Sequence, residues 1–445
     1  MANNNPAIGP GNLLEFTIES NKGSKSADLR AGIAEYRYYE SILSNNFSAT
    51  ATIVESGVSG DDFKSGVLDS LPIRGGERAA IKVADTRDEQ ITFSGDGLYV
   101  NRIRDASPDT QSDVYYLDFA SKEYFNNQKS RVKKRYEGKI SDNVRTILKD
   151  VLKTTDNIEI DETAETFNFY GNTRKPFYIT TWLASKSVPT TEGDANASGV
   201  GGAAGFLFFQ TRDGLYFKSI DSLLSKEPTK KFIYNNTEVL PEGYDDKIIS
   251  YSIDSDNDMN QQQGVGAYHN QTIAFDFFSF NYTETDFNIK DQEPKVKTAG
   301  KDYVNVNEEF IDEPTRIFFH IRDIGSNPNG SGDEQLETWK SSEGGNIRGV
   351  ENFKHENALV QAPMRYNQLF TVETNITIPG DFTIKAGDII ECDFPAVDAE
   401  NRSKDSNKQS GGKYLVAHLC HYLSPKETYT SLGLVRDSFG KKGGF

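Results

Sequence analysis

Residues 71–83 (LPIRGGERAAIKV) and 382–394 (FTIKAGDIIECDF) align without gaps, setting Ile73 on Ile384, Arg74 on Lys385, Gly76 on Gly387 and Glu77 on Asp388. Taken alone, I-(K/R)-x-G-(D/E) is a common hairpin signature in which glycine supplies the turn and flanking charges solvate it. The surroundings raise the pair above a chance turn. A Thr-rich alternating stretch precedes each copy, and a strand ending in Ser-Pro follows each, at Ser107-Pro108 and Ser424-Pro425. After each Ser-Pro comes another β-rich run, at 114–119 and 429–435. This order predicts a duplicated β-domain with one copy near each end of the chain.

Outward from the first copy, FSATATIVE (47–55) alternates with β-branched Thr50, Thr52, Ile53 and Val54, and VYYLDF (114–119) is a second β run. In SDNVRTILKDVLK, Val144, Ile147, Leu148, Val151 and Leu152 recur at helical spacing, with Asp142 near the positive end of the helix dipole. A second helix is expected from Pro176, carrying Phe177, Ile179, Trp182, Leu183 and Val188. PTTEGDANASGVGGAAG (189–205) is a flexible loop by composition, and Arg212-Asp213-Gly214 reads as a tight primed hairpin turn between 206–210 and 215–219. Residues 255–354 are Asn-, Gln- and Gly-rich with few helical signals and read as an irregular insertion. The β pattern returns after Leu359, at Phe370, Val372, Thr374, Ile376 and Ile378 and again at Leu415, Ala417, Leu419, His421 and Leu423, with 398–413 as a long hairpin tip.

The expected architecture is a β-rich, multidomain α+β protein. Its parts are a first β ring domain (12–120), an α+β domain (121–235), a second, similar β-barrel-like domain (236–256 with 355–440) and an irregular β-rich insertion (257–354). A chain of 445 residues by itself suggests about three domains at about 100–200 residues each; the repeat changes that to two copies of one domain plus two inserted ones.

Composition narrows function. There are 49 Lys plus Arg against 66 Asp plus Glu, a net charge of −17, which argues against tight nucleic-acid binding. Mean hydropathy is −0.60, yet 28 Phe and 21 Tyr supply a folded core. Two cysteines, Cys392 and Cys420, cannot build a disulfide framework or a thiolate zinc site and fit synthesis in a reducing cytoplasm. No signal peptide and no stretch of about 20 apolar residues is apparent, so neither secretion nor membrane insertion is expected.

Chemical motifs are sparse. Asp254, Asp256 and Asp258 open like a calcium loop, but Met259 stands at the turn glycine and Val265 at the bidentate Glu, so an acidic turn is the better reading. His418 and His421 of HLCH face opposite sides of a strand and cannot share an ion. Gly199, Gly201 and Ala204 match a loose dinucleotide-loop pattern that precedes a strand instead of a helix, which is the wrong order. No catalytic, metal or cofactor residue is assigned. The candidate functional residues are the two repeat turns (Ile73, Arg74, Gly76, Glu77; Ile384, Lys385, Gly387, Asp388) and one basic run. That run, Lys129, Arg131, Lys133, Lys134 and Arg135, is either a solvated helix face or a docking surface for an acidic partner.

Lys175-Pro176-Phe177 with Trp182-Leu183-Ala184, then 206–209 (FLFF), Asp213-Gly214 and 217–223 (FKSIDSL), resemble the central baseplate hub subunit of contractile-tailed, T-even-type bacteriophages. The stretch from Lys413 through His421 to Leu434-Val435-Arg436-Asp437-Ser438 is similar too. The resemblance implies a non-enzymatic virion protein of the tail baseplate, made in the host cytoplasm. It implies a homotrimer whose paired β domains form a pseudo-sixfold ring, meeting a hexameric tail tube or tube-initiator protein on one face and a trimeric central spike on the other. Baseplate wedge proteins are further partners, DNA passes in transit, and no cofactor is implied. Three copies of a duplicated domain would solve that symmetry mismatch, and acidic residues along the channel would keep DNA from sticking. The alternatives are a tail-associated adhesin or carbohydrate-binding β-protein and, third, a glycan hydrolase.

Overall fold

The computed structural model describes residues 8–441 except 23–24, 56–70, 72, 109–111, 165, 191–202, 236–238, 255–257, 278–279, 292–296, 303, 305, 323–351, 353–355 and 396–408. The chain opens with β1 (Asn12–Glu19), β2 (Ser26–Asp28), β3 (Ile33–Ser41), β4 (Ser48–Glu55), β5 (Arg78–Ala84), β6 (Gln90–Pro108) and β7 (Asp113–Ser121). Alternation drives these strands together: Phe16 and Ile18, Tyr36 and Tyr38, Ala49, Ala51 and Ile53, and Leu117 and Phe119 fill one core, while Arg37, Thr50 and Asp118 face away from it.

The middle of the chain holds α1 (Lys122–Lys129), β8 (Arg135–Tyr136), α2 (Ile140–Thr146), β9 (Ile158–Ile160), β10 (Phe169–Tyr170), α3 (Pro176–Ala184), β11 (Phe206–Thr211), β12 (Gly214–Ser219) and α4 (Ile220–Leu224). Helix α2 runs on as a π turn, Ile147–Leu152, and Val144, Ile147, Leu148 and Leu152 are buried as the spacing predicts. Pro176 occupies the first turn of α3, but the helix ends before Val188. The Ser187 hydroxyl donates to the Leu183 carbonyl (2.8 Å), which a continuing helix would need for its own N–H. Val188 instead packs with Ala204 and Ala358. The hairpin β11–β12 forms with Arg212-Asp213 as its loop, but positive φ falls on Gly214 (+147°) and not on Asp213. Gly214 is required because a side chain there would overlap the Asn157 carbonyl. The low-complexity stretch expected to be flexible lies mostly outside the described residues.

Next come β13 (Lys230–Ile233), β14 (Asp246–Lys247), β15 (Ser250–Asp254), α5 (Met259–Gly264), β16 (His269–Asp276), β17 (Asn281–Asn288) and β18 (Arg316–Ile321). The last three make a separate sheet of order β17-β16-β18, so the described part of the insertion is less irregular than its composition suggests. Leu359 lies in α6 (Glu356–Gln368), a helix with Pro363 inside it that the sequence reading did not expect, and the β pattern expected from Phe370 follows it. Then follow β19 (Val372–Pro379), β20 (Ile389–Asp393), β21 (Gly412–Leu423) and β22 (Thr428–Arg436). The long tip between β20 and β21 lies outside the described residues apart from its last few.

Among the described residues, fourteen strands belong to one hydrogen-bonded sheet. They fall into two sets of seven with one order: β2-β1-β5-β6-β7-β4-β3 and β14-β13-β20-β21-β22-β19-β15. The equivalence reaches single atoms. Gly76 and Gly387 have φ of +86° and +88°. Gly76 N–H donates to Val100 (2.6 Å) and Val100 N–H to Glu77 (2.8 Å); Gly387 donates to Val416 and Val416 to Asp388, both at 2.9 Å. Each valine is followed by a register shift, between Val100 and Arg102 and between Val416 and His418. One strand departs from the pattern: β1 is antiparallel to β5, whereas β13 is parallel to β20.

Replacing Gly387 by alanine should test the turn. The new Cβ would adopt an unfavourable φ and lie 2.9 Å from Phe209 Cζ, so denaturant unfolding should show a loss of about 1–3 kcal/mol.

Candidate functional site

The two seven-stranded sets meet where β3 adds to β21, antiparallel, from Ser41↔His418 to Tyr36↔Leu423. Strand β20 is short, so it covers only the first half of the β21 edge and leaves the second half to β3. Tyr38 and His421, directly opposite each other, stack with ring centroids 6.1 Å apart and join the two sets in one hydrophobic cluster.

Glu40 sits on the core side of this junction, 2% exposed. Its carboxylate accepts from Tyr38 Oη (2.7 Å), Arg212 N (3.0 Å) and Ala386 N (2.9 Å). Three elements distant in sequence therefore close on one side chain: β3, the β11–β12 loop and the second repeat turn. Comparison of the turns shows why. In the first, Glu77 reaches both Arg74 N (2.9 Å) and Gly75 N (2.8 Å). In the second, Asp388 is one methylene shorter and takes only Lys385 N (2.9 Å), and Glu40 supplies the acceptor for the next N–H. Burial pushes the Glu40 carboxyl above its ordinary pKa, and the Arg212 charge opposes that shift.

His421 bonds Thr430 Oγ1 (2.9 Å) and the Ile384 carbonyl (3.2 Å) through its two ring nitrogens. Burial, reinforced by the Arg212 charge, lowers its pKa to about 3, so the imidazole is neutral at physiological pH. His418 points the other way, over Gly433, where any side chain would collide with its ring. The opposite-face expectation for the two histidines holds. Burial likewise raises the half-buried Cys420 thiol to about 11, which keeps it protonated and a poor nucleophile.

On the face away from the core, one polar surface runs across the junction. One row in register runs through Ser250, Thr377, Ser431, Cys420, Tyr39 and Ser48, and the neighbouring row through Tyr429, Tyr422, Arg37, Thr50, Asp118 and Arg102. Its charges pair locally: Arg37 with Glu35 (3.1 Å) and Arg104 with Asp118 (2.7 Å). Arg37 and Arg104 also lie over the rings of Tyr422 and Tyr116. A shallow groove of about 520 Å³, bordered by Tyr39, Ser41, Ser252, Asn375 and His418, crosses this face at the junction.

The two predicted repeat turns do not come together. Each closes its own strand set, with Ile73 and Ile384 buried beneath, and Lys385 pairs with Asp213 (2.5 Å). The basic run is not a helix face. Only Lys129 lies in α1, because Ser130 N–H closes the helix on Asn126 and Val132 bridges to Arg174 in an extended segment. Lys133 and Lys134 are exposed, Arg131 caps the Gln128 and Ser130 carbonyls, and Arg135 pairs with Glu137 (2.9 Å). Of the acidic stretch, Asp254 ends β15 and Asp258 caps α5 by accepting from Asn260 and Gln261, while 255–257, where the turn was expected, lie outside the described residues. Among the described residues no group of three or more His, Cys, Asp or Glu could hold a metal ion, and no helix is long and apolar enough to cross a membrane. Of the residues that matter, sequence reasoning missed Glu40. Its signal was visible, since it falls in phase with Tyr36 and Tyr38 on the buried face of β3.

No protein-family model matches this chain, and no curated protein matches it in sequence. Two solved structures share its fold along nearly the whole length. A tail protein from Neisseria meningitidis MC58 superposes with a TM-score of 0.51 at 11% identity, over 95% of this chain and 96% of that one. The 43 kDa tail protein of prophage MuSo2 from Shewanella oneidensis superposes with a TM-score of 0.52 at 9% identity, over 95% and 98%. The chain has the fold of these phage tail proteins.

Two substitutions probe the junction. Glu40→Ala leaves buried donors on Tyr38, Arg212 and Ala386 without an acceptor and should cost about 2–4 kcal/mol by denaturant unfolding, with Glu40→Gln costing less. His421 must gain a proton on unfolding below pH 6.5 while the native ring stays neutral to about pH 3. Stability should therefore fall with acidification across that window by up to about 1.4 kcal/mol per pH unit, and His421→Asn should remove that part of the slope.

Proposed function

We propose that this chain is a structural subunit of a phage tail baseplate, a hub whose three copies form a pseudo-sixfold ring between a hexameric tail tube and a trimeric central spike. The observation that carries the reading is the doubled strand set: two units of one strand order, joined edge to edge inside one chain. Three such chains present six similar units to a sixfold partner and three identical chains to a threefold one. Partners on this reading are a second copy of the chain, the spike, the tube or tube-initiator protein and baseplate wedge proteins, with the subunit assembled into the virion tail after synthesis in the host cytoplasm.

The polar face that crosses the junction suits the wall of a passage for DNA. Arg37 pairs with Glu35 and Arg104 with Asp118, so these arginines do not add up to an unneutralised cationic track that would hold a polyanion. The tail-protein fold supports a mechanical role over a catalytic one.

Mass measurement in solution, with and without the trimeric spike protein of the same tail, tests this. The expected result is a trimer, alone or on adding spike. A chain that stays monomeric, ignores the spike and binds host polysaccharide is an adhesin, and one that cleaves cell-wall glycan is a hydrolase.

A further inference from the structure

We infer that the outer edge of β15 in one copy adds to the outer edge of β6 in the next, repeating between chains the junction that β3 and β21 make within one. This names the contact that closes the trimeric ring proposed above and rests on that reading.

The argument starts from equivalent positions. Arg37 of β3 is opposite Thr50, which is opposite Asp118; Ser252 of β15 is opposite Asn375, which is opposite Gly433. Asp118 and Gly433 are in turn opposite Arg102 and His418. Strand β15 therefore holds in the second set the place of β3 in the first, and β6 holds the place of β21. Within the chain, Tyr39 faces Cys420 and Arg37 faces Tyr422. Carried over, and allowing for the extra residue of β6 between Arg104 and Ser107, Asp254 faces Arg104 and Ser252 faces Ser107 of the neighbouring copy.

Burial gives an independent sign. At the internal junction Tyr36, Tyr38 and Leu419 are 1%, 0% and 2% exposed. Their counterparts on the two outer edges are uncovered: Tyr251 is 36% exposed, and Ile253 and Ile103 are only half-buried against the core. The same apolar positions are thus present on both edges, sealed in one place and open in the other. Among the described residues no strand lies along the side of β15 away from β19, or along the side of β6 away from β7 beyond Val100. Two open edges with matching apolar positions invite strand addition. The ends also match in charge, since β15 finishes at Asp254 and the β6 segment it would meet carries Arg102 and Arg104. Because the contact joins two different surfaces, it is head-to-tail and closes into a ring when three copies complete the turn.

Paired cysteines test the register in the full chain. Ser252→Cys with Ser107→Cys should give a covalent trimer on mild oxidation, seen on a non-reducing gel, whereas either single variant and the out-of-register pair Ser252→Cys with Arg102→Cys should not. Proline scanning supplies a second readout. Successive N–H groups point to opposite edges of a strand, so one of Ser252→Pro and Ile253→Pro should abolish the trimer while leaving the far-UV circular dichroism of the folded chain. A trimer that neither cross-links nor responds to either proline overturns this interface and leaves the ring reading standing. A ladder of cross-links running past three copies overturns the closed contact. A wild-type chain that stays monomeric with spike present overturns the ring reading and this contact with it.

Discussion

The buried carboxylate of Glu40 is the point on which the two halves of the molecule turn. Without it the second repeat turn has an N–H that Asp388 is too short to reach, and the β11–β12 loop has another. A charged group placed where it is 2% exposed is tolerable only when several donors surround it. Here those donors come from three separate regions of the chain, so satisfying the charge fixes the regions relative to one another. The Tyr38–His421 stack beside it adds the apolar half of the same joint.

A second buried ionic node ties in the insertion. Arg365 of α6 is fully buried and binds Asp437 (2.6 Å), Asp221 (2.5 Å) and the Lys297 carbonyl (2.6 Å). It links the end of β22 to α4 and to the segment between β17 and β18. Such nodes contribute little net stability over a well-packed apolar core, but they penalise misdocked arrangements, because any shift strands a charge. That property suits a part whose dimensions must match partners of fixed symmetry.

The likeness of the two turns was readable because it rests on residues that local geometry demands. Gly76 and Gly387 need positive φ, and Glu77 and Asp388 cap the turns those glycines make. Helices α2 and α3 were readable from apolar spacing and from Pro176. Helix α6 was not, since Pro363 argues against a helix that tertiary contacts at Arg365 and Met364 nevertheless hold in place. The end of α3 was also misplaced. Val188 has the right spacing for the helical stripe but is buried by a different neighbour, Ala358, about which periodicity carries no information.

The sequence by itself determined the two turns, the alternating strands on either side of them and the helical stripe of the middle region, because each follows from backbone sterics or from a periodic apolar face within a short window. Only the tertiary structure decided that β3 lies along β21, that β13 runs opposite to β1, and that Glu40 completes a turn 346 residues away. Those outcomes depend on which strand edge is left open and which buried N–H lacks an acceptor. Both are properties of the assembled sheet and of no single segment.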